Sequence, residues 1–351
     1  MERIVIGTGR CGSTLLSDLI AMHPRTMVLS EFFTALDPAR GWPHDRDIDA
    51  AEFAAILARE DGIGPAYMAQ NRSIGEVLVD LEAEKAAHAG FLNRPTIQFI
   101  AMPFLAPSDP LGLYQGLVSQ VRTQPRQSLR THFQGAIGWL QRRQGKDAWV
   151  ERSGLSTNTF RAIRRTFPDA RFVHIHRDGA ESALSMLNHV HMRLMVSYHF
   201  DPPTGDELRR TLDLSLPPAD NPLVQRLEHP LPAERFGEYW SWSLALTYRE
   251  LPYLPPDQLH EVRFEDLMAN PRGVLEGIEG FLELPAAGRE WIDAAVARVR
   301  QVPTRANLLD PQARERLEAA CRPGNILLGR DPGACAGDAA NQRLVELLNA
   351  R

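Results

Sequence analysis

The feature that most narrows the fold is the opening stretch RIVIGTGRCGSTLLSDLIAMHP at 3–24. The β-branched run Ile4-Val5-Ile6 gives way to Gly7, Gly9 and Gly12. Apolar residues then fall at Leu15, Leu16, Leu19, Ile20 and Met22 until Pro24 stops them. This pattern reads strand, glycine-rich turn, helix. Backbone N–H groups and the dipole at a helix N-terminus attract an anion whatever the side chains are. Ser13 and Thr14 add hydroxyls at the first turn, and Arg10 can fork two charge-assisted hydrogen bonds onto an oxyanion. Gly9, Arg10, Cys11, Gly12, Ser13 and Thr14 are therefore candidate anion-binding residues. The plainer alternative is a turn followed by an N-cap. Residues 7–14, GTGRCGST, differ from the nucleotide loop G-x-x-x-x-G-K-[ST] at its lysine, where Ser13 stands, and carry their cation inside the bend. Ordinary ATP or GTP hydrolysis also needs a strand-end aspartate for Mg²⁺, and none is evident.

Three more strand-like runs follow: AWVERS at 148–153, RFVHIHRD at 171–178 and HEVRFEDL at 260–267. They alternate with helical patterns in FRAIRRTFPDA, GAESALSMLNHVHMRL, FGEYWSWSLALTYRE and GVLEGIEGFLEL, and VLS before Glu31 reads as a further strand. Such alternation predicts a single α/β domain over 1–351, its mainly parallel sheet covered by helices on both faces. Two less regular regions, 37–135 and the proline-rich 201–232, are expected to be inserts or lids.

Partner classes are limited by charge and cysteine usage. The net charge is −5 and no basic run interrupts it, which argues against a nucleic-acid partner. Cys11, Cys321 and Cys335 have neither zinc nor disulfide-framework spacing, so no metal site is expected and a reducing compartment fits. No apolar run approaches the roughly 20 residues that cross a bilayer, and the first residues run straight into Ile4-Val5-Ile6 without a leader pattern. The expectation is a cytoplasmic protein with no transmembrane segment; nothing specifies an oligomeric state.

The run R-C-G-S-T from Arg10 to Thr14, extended by Leu15-Leu16 and His23-Pro24, resembles the 5′-phosphosulfate loop of sulfotransferases that use 3′-phosphoadenosine 5′-phosphosulfate (PAPS). The likeness is to the arginine-containing branch that includes tyrosylprotein and bacterial sulfotransferases. A second signature of that family, an Arg and a Ser eight residues apart after a strand, is matched by Arg177 and Ser185, which the resemblance assigns to the 3′-phosphate. VRFEDLMANPRGVLEGIEGFLELP resembles a recurring strand-turn-helix segment, with Phe264, Leu267, Ile278 and Phe281 as core. CRPGNILLGRDPG at 321–333 resembles an Arg/Gly-rich loop that closes over the nucleotide, which brings in Arg322 or Arg330. The resemblance covers 3–31 and 147–285. It implies a P-loop NTPase-like, mainly parallel sheet flanked by helices, with a largely helical or loop substrate insert.

The implied chemistry is transfer of a sulfuryl group from PAPS to a hydroxyl of a small-molecule, lipid/polyketide-like or carrier-bound acceptor, releasing 3′-phosphoadenosine 5′-phosphate (PAP) without a metal. Arg10, Glu31 and Arg152 are the candidate catalytic residues. Glu31 stands 21 residues after the loop arginine, where that branch has a glutamate base, and Arg152 stands where many relatives have lysine in [DE]-K-[ST]-P, a place from which it either assists the leaving phosphate or orients Glu151. Other readings stay open: Glu31 paired structurally with an arginine, His189 or His191 as base, Arg177 in an ion pair with Asp178 or Glu181. The apolar IQFIAMPFLA at 97–106 suits an apolar acceptor. HRD at 176–178 resembles a kinase catalytic loop, but position 183 is Ala where that loop needs Asn. Alternative functions are an atypical P-loop kinase or NTPase and a non-catalytic nucleotide-binding regulator.

Overall fold

Five strands form one sheet: β1 (Arg3–Ile6), β2 (Thr26–Ser30), β3 (Ala148–Arg152), β4 (Arg171–His176) and β5 (Leu259–Arg263). Their order is β2-β3-β1-β4-β5 and every pairing is parallel. The computed structural model describes residues 1–60, 62–70, 94–213, 215–229, 231–331 and 339–349. The helices that position the site are α1 (Ser13–Ala21), α2 (Phe32–Ala35), α3 (Leu129–Arg143), α4 (Phe160–Thr166), α5 (Gly179–Leu187), α6 (Val190–Phe200), α7 (Ala233–Tyr248), α8 (Phe264–Ala269), α9 (Pro271–Phe281) and α10 (Pro311–Leu327). This is the expected P-loop NTPase-like α/β architecture.

Side chains alternate across each strand, and both faces are covered. Ile4, Ile6, Met27, Leu29, Trp149 and Phe172 join one cluster with Phe33 of α2, Phe133 and Ile137 of α3, and Phe160 of α4. Val5, Val150, Val173, Ile175 and Val262 join the other, with Leu16, Leu19 and Ile20 of α1 and Leu275 and Ile278 of α9. A third cluster binds α5, α6, α7 and α10 through Ala183, Met186, Met192, Phe236, Trp240, Leu317 and Cys321. It gives α5 a rigid backing.

The His23-Pro24 pair ends α1 and also ties the chain together. His23 is buried, its Nε2 bonds Pro285 O at 3.0 Å, and its Nδ1 accepts from the Arg25 N–H at 3.2 Å. The expected strand at 260–267 needs correction: it stops at Arg263, and Phe264 opens α8. Glu265 and Asp266 fall in the first turn of α8, where the helix dipole favours acids.

The region 37–135, of which residues 61 and 71–93 lie outside the described set, carries helices at Ala50–Leu57, Ile63–Ala69, Ile97–Ile100, Met102–Leu105 and Pro110–Val121. The first starts on a capping box in which Asp49 and Glu52 satisfy each other's backbone N–H. Ile97, Ala101 and Met102 are packed into the first cluster, so the apolarity of 97–106 builds the core rather than describing an acceptor. The region 201–232, apart from residues 214 and 230 outside the described set, holds helices Gly205–Thr211 and Pro222–Glu228. Among the described residues no helix is long and apolar enough to cross a membrane.

Candidate active site

All five parallel strands end toward one edge, where open α/β sheets bind ligands. The chain leaves β1 through a loop with three left-handed residues in four, Gly9 (φ 75), Arg10 (φ 55) and Gly12 (φ 96). At Gly12 the conformation and the space both require glycine, because a Cβ there would be driven into the Phe264 ring. Holding Arg10 left-handed costs about 1–2 kcal/mol. No side chain caps the N-terminus of α1 and its first turn has no acid, so its dipole faces the loop uncompensated. The loop is fixed from below by the Gly7 N–H, which donates to Ser156 Oγ at 3.0 Å beyond β3. Ser13 is buried and Thr14 exposed at the first turn. The Cys11 side chain belongs to the core cluster with Val5 and Leu16, and burial pushes its thiol up. Cys11 thus offers the loop its backbone alone.

The second anchor leaves β4. Asp178 Oδ1 caps α5 by accepting the Glu181 N–H at 3.0 Å, and Ser185 follows two turns in. The Ser185 Oγ meets Arg10 Nε at 3.3 Å, which joins the two anchors directly. Arg177, 8% exposed, donates to Glu181 Oε2 at 3.2 Å and lies over the Phe264 ring at 4.6 Å. Burial pushes its guanidinium below its usual value, against the pull of Glu181. Phe264, read from sequence as core, is therefore also the bridge between the glycine loop and Arg177. A cavity of about 300 Å³ opens beside it, lined by Arg177, Glu181, Phe264, Glu265, Met268 and Thr304 among others. Glu181 is held in turn by the N–H groups of Arg305 and Ala306 at 2.7 and 2.9 Å.

The third part lies where β2 and β3 end. Glu31, 6% exposed at φ 56, is ion-paired with Arg152 and accepts the Gly154 N–H at 2.8 Å. Arg152, 2% exposed, also reaches Ser17 Oγ at 3.3 Å and Ser30 Oγ at 3.2 Å. Among the described residues its hydrogen-bond partners lie on α1 and at the C-terminal end of β2, so it ties β3 to both elements. The Glu31 carboxyl is thus held at the sheet edge against a guanidinium of opposite charge.

Other expected residues lie elsewhere. Arg322 pairs with Asp331 at 2.7 Å and lines a different cavity of about 550 Å³ with Glu234, Arg316 and Arg343. Its neighbour Arg330 comes closer to the second anchor: it bonds His176 Nδ1 at 3.1 Å and Glu265 Oε2 at 2.7 Å, and Glu265 Oε1 accepts the Asp178 N–H. His189 caps α6 by accepting the Met192 N–H at 3.4 Å, and His191 packs edge-on to Tyr67. Sequence reasoning missed Ser156, Ser17 and Ser30, which hold the loop and Arg152. Glu151, expected at most as a residue that Arg152 orients, is fully buried one residue before it, and Arg152 pairs with Glu31 instead. The available signal was a carboxylate inside the apolar run AWVER.

A profile of the sulfotransferase family matches residues 4–215, a span that holds the glycine loop, Glu31, Arg152, Arg177 and Ser185. No curated protein matches the sequence. Among solved structures, the sulfotransferase domain from the curacin biosynthetic pathway is similar at 15% identity, with 99% of this chain and 97% of that one covered and a TM-score of 0.43. The sulfotransferase domain from the Synechococcus PCC 7002 olefin synthase is similar at 16% identity, 99% and 92% coverage and a TM-score of 0.41. For sulfotransferase STF9 from Mycobacterium avium the values are 16%, 96%, 78% and 0.43.

Proposed function

The chain belongs to the sulfotransferase family, and from that premise we propose that it moves a sulfuryl group from PAPS to the hydroxyl of a small-molecule or carrier-bound acceptor and releases PAP. The observation that carries this reading is the Arg10–Ser185 contact. It joins a lysine-free phosphate loop to the strand-helix unit bearing Arg177, at the same sheet edge as the Glu31–Arg152 pair.

In this reading the loop N–H groups of Gly9 to Thr14, the Ser13 and Thr14 hydroxyls and Arg10 receive the 5′-phosphosulfate. Arg177 and Ser185 receive the 3′-phosphate, with Phe264 beside them. The acceptor oxygen attacks sulfur as the bond from sulfur to the 5′-phosphate oxygen breaks, and the acceptor proton passes to Glu31. Arg10 neutralises charge growing on the leaving oxygen, a type of fixed electrostatic aid that typically contributes about 3–4 kcal/mol. Arg152 keeps Glu31 ionised and aimed. The choice of acceptor falls to the described parts of the flanking regions 37–135 and 201–232 that lie outside the core.

The test is thermal stabilisation. PAP at about 100 times its Kd adds roughly 2.7 kcal/mol of stability, AMP at the same concentration adds far less, and Arg177→Ala abolishes the difference. Equal stabilisation by PAP and AMP overturns the 3′-phosphate assignment. Mg²⁺-dependent ATP hydrolysis by the pure protein would instead mark a P-loop NTPase.

A further inference from the structure

Glu151 is the one carboxylate on β3, and the strand's alternation turns it away from Arg152. Its sheet neighbours are Ile4 on β1 and Leu29 on β2, and all three lie on the apolar face with Trp149. The side chain is 0% exposed, and Oε2 has no hydrogen-bond partner. Oε1 accepts two hydrogen bonds, from the Phe33 N–H at 3.1 Å and from the Ser153 hydroxyl. Ser153 Oγ in turn accepts the Thr34 N–H at 3.0 Å. These two N–H groups belong to the first turn of α2, whose N-cap is Glu31, and no side chain of that N-cap satisfies them. The buried carboxyl therefore replaces the missing cap from the neighbouring strand.

We propose that Glu151 is the positioning residue for Glu31: by capping α2 through Phe33 and Ser153 it fixes the strained backbone from which the Glu31 carboxylate projects. This rests on the reading of Glu31 as the base. A cap that acts from within an apolar cluster works best uncharged, because an unpaired buried charge is expensive. Burial pushes the Glu151 carboxyl up to about 8, against its hydrogen bonds from Ser153 and Phe33. The charged groups acting on it are Glu31, on the turn before α2, which opposes ionisation, and Arg152 beside it on β3, which favours it. β1 and β2 present Ile4 and Leu29 there.

Glu151→Ala and Glu151→Gln separate positioning from bulk structure when kcat, the PAP-induced Tm shift and the pH profile are measured together. Glu151→Ala loses roughly 10- to 100-fold in kcat, the scale of an ångström of misplacement, and keeps the PAP shift. Glu151→Gln, neutral and isosteric, recovers most of that loss at pH 7. Wild-type kcat falls above pH about 8, and Glu151→Gln removes that limb. An alkaline limb that persists in Glu151→Gln overturns the proposal even if Glu151→Ala does not fold. Loss of the PAP shift together with kcat overturns it too, since the effect is then not confined to the acceptor side. If PAP fails to stabilise the wild type, the sulfotransfer reading has failed and this inference goes with it; with the PAP shift intact, only this inference is at stake.

Discussion

Glu31 and Arg152 bury one charge of each sign within the same few ångströms, and neither is tolerable there alone. Removing one partner of a buried ion pair costs about 3–5 kcal/mol, because the other is left uncompensated. Arg152→Ala should therefore shift the urea midpoint strongly downward. The double variant Glu31→Gln/Arg152→Met should regain a large part of that loss, since the remaining charge is gone. Glu31→Gln leaves the Arg152 charge uncompensated and should lower the midpoint too, but Ser17 and Ser30 still accept from Arg152, so under conditions where the variant is folded PAP binding persists while kcat drops about 10²–10⁴-fold, the range lost with a general base. An Arg152→Ala protein as stable as the wild type would show that the pair is not the compensated unit described above.

At the scale of elements, the site is three strand-ends held in register by short polar ties: Gly7 to Ser156, Arg10 to Ser185, and Arg152 to Ser17. The weak point is the β1–α1 loop. Gly12→Ala places a Cβ against the Phe264 ring at a backbone of φ 96, so it should cost about 1–3 kcal/mol and weaken PAP binding; calorimetry with and without PAP measures both. The strands were legible in the sequence because runs such as Ile4-Val5-Ile6 put apolar residues on both faces, as a doubly covered sheet requires. The end of β5 was misjudged because VRFEDL keeps an apolar alternation while its acids already favour the first turn of α8. Arg10 stood out from the glycine loop itself, while Glu31, Arg152, Arg177 and Ser185 were singled out by the resemblance to the family. Two contacts stood open as alternatives, Glu31 with an arginine and Arg177 with Glu181, and both form; the Arg10–Ser185 contact was not legible, because two distant loops meet only in the fold. The burial of Glu151 was not legible, because a carboxylate on a core face contradicts the pattern that identifies a core face.

For the whole molecule, buried titratable groups set a stability optimum in pH. Burial, with His174 and Arg330 beside it, pushes His176 down to about 3 from 6.5. Its unfolded form therefore takes up a proton below pH 6.5 that the folded form refuses, and stability falls as pH drops from there toward 3. Glu151 acts in the opposite direction. Its folded carboxyl keeps its proton up to about pH 8 while the unfolded one releases it near 4.5, so stability falls as pH rises between those values. Each group contributes a slope of at most about 1.4 kcal/mol per pH unit. Between about pH 4.5 and 6.5 the two slopes oppose each other, so chemical denaturation across pH 4 to 9 should give a broad maximum there, with the decline above pH 6.5 flattened in Glu151→Gln. Stability that rises steadily from pH 6.5 to 9 would contradict the Glu151 assignment.

The strand order has one more effect, on timing during synthesis. β1 lies at the centre of the sheet between β3 and β4, and its first partner residues are about 150 positions downstream. At roughly 5–20 residues per second of translation, Ile4, Val5 and Ile6 emerge about 10–30 seconds before anything exists for them to pair with. The segment that ends at the glycine loop is thus made well before its sheet partners and is secured only when they arrive. A nascent chain halted before residue 148 should present it as an unpaired apolar strand to whatever chaperone waits at the ribosome.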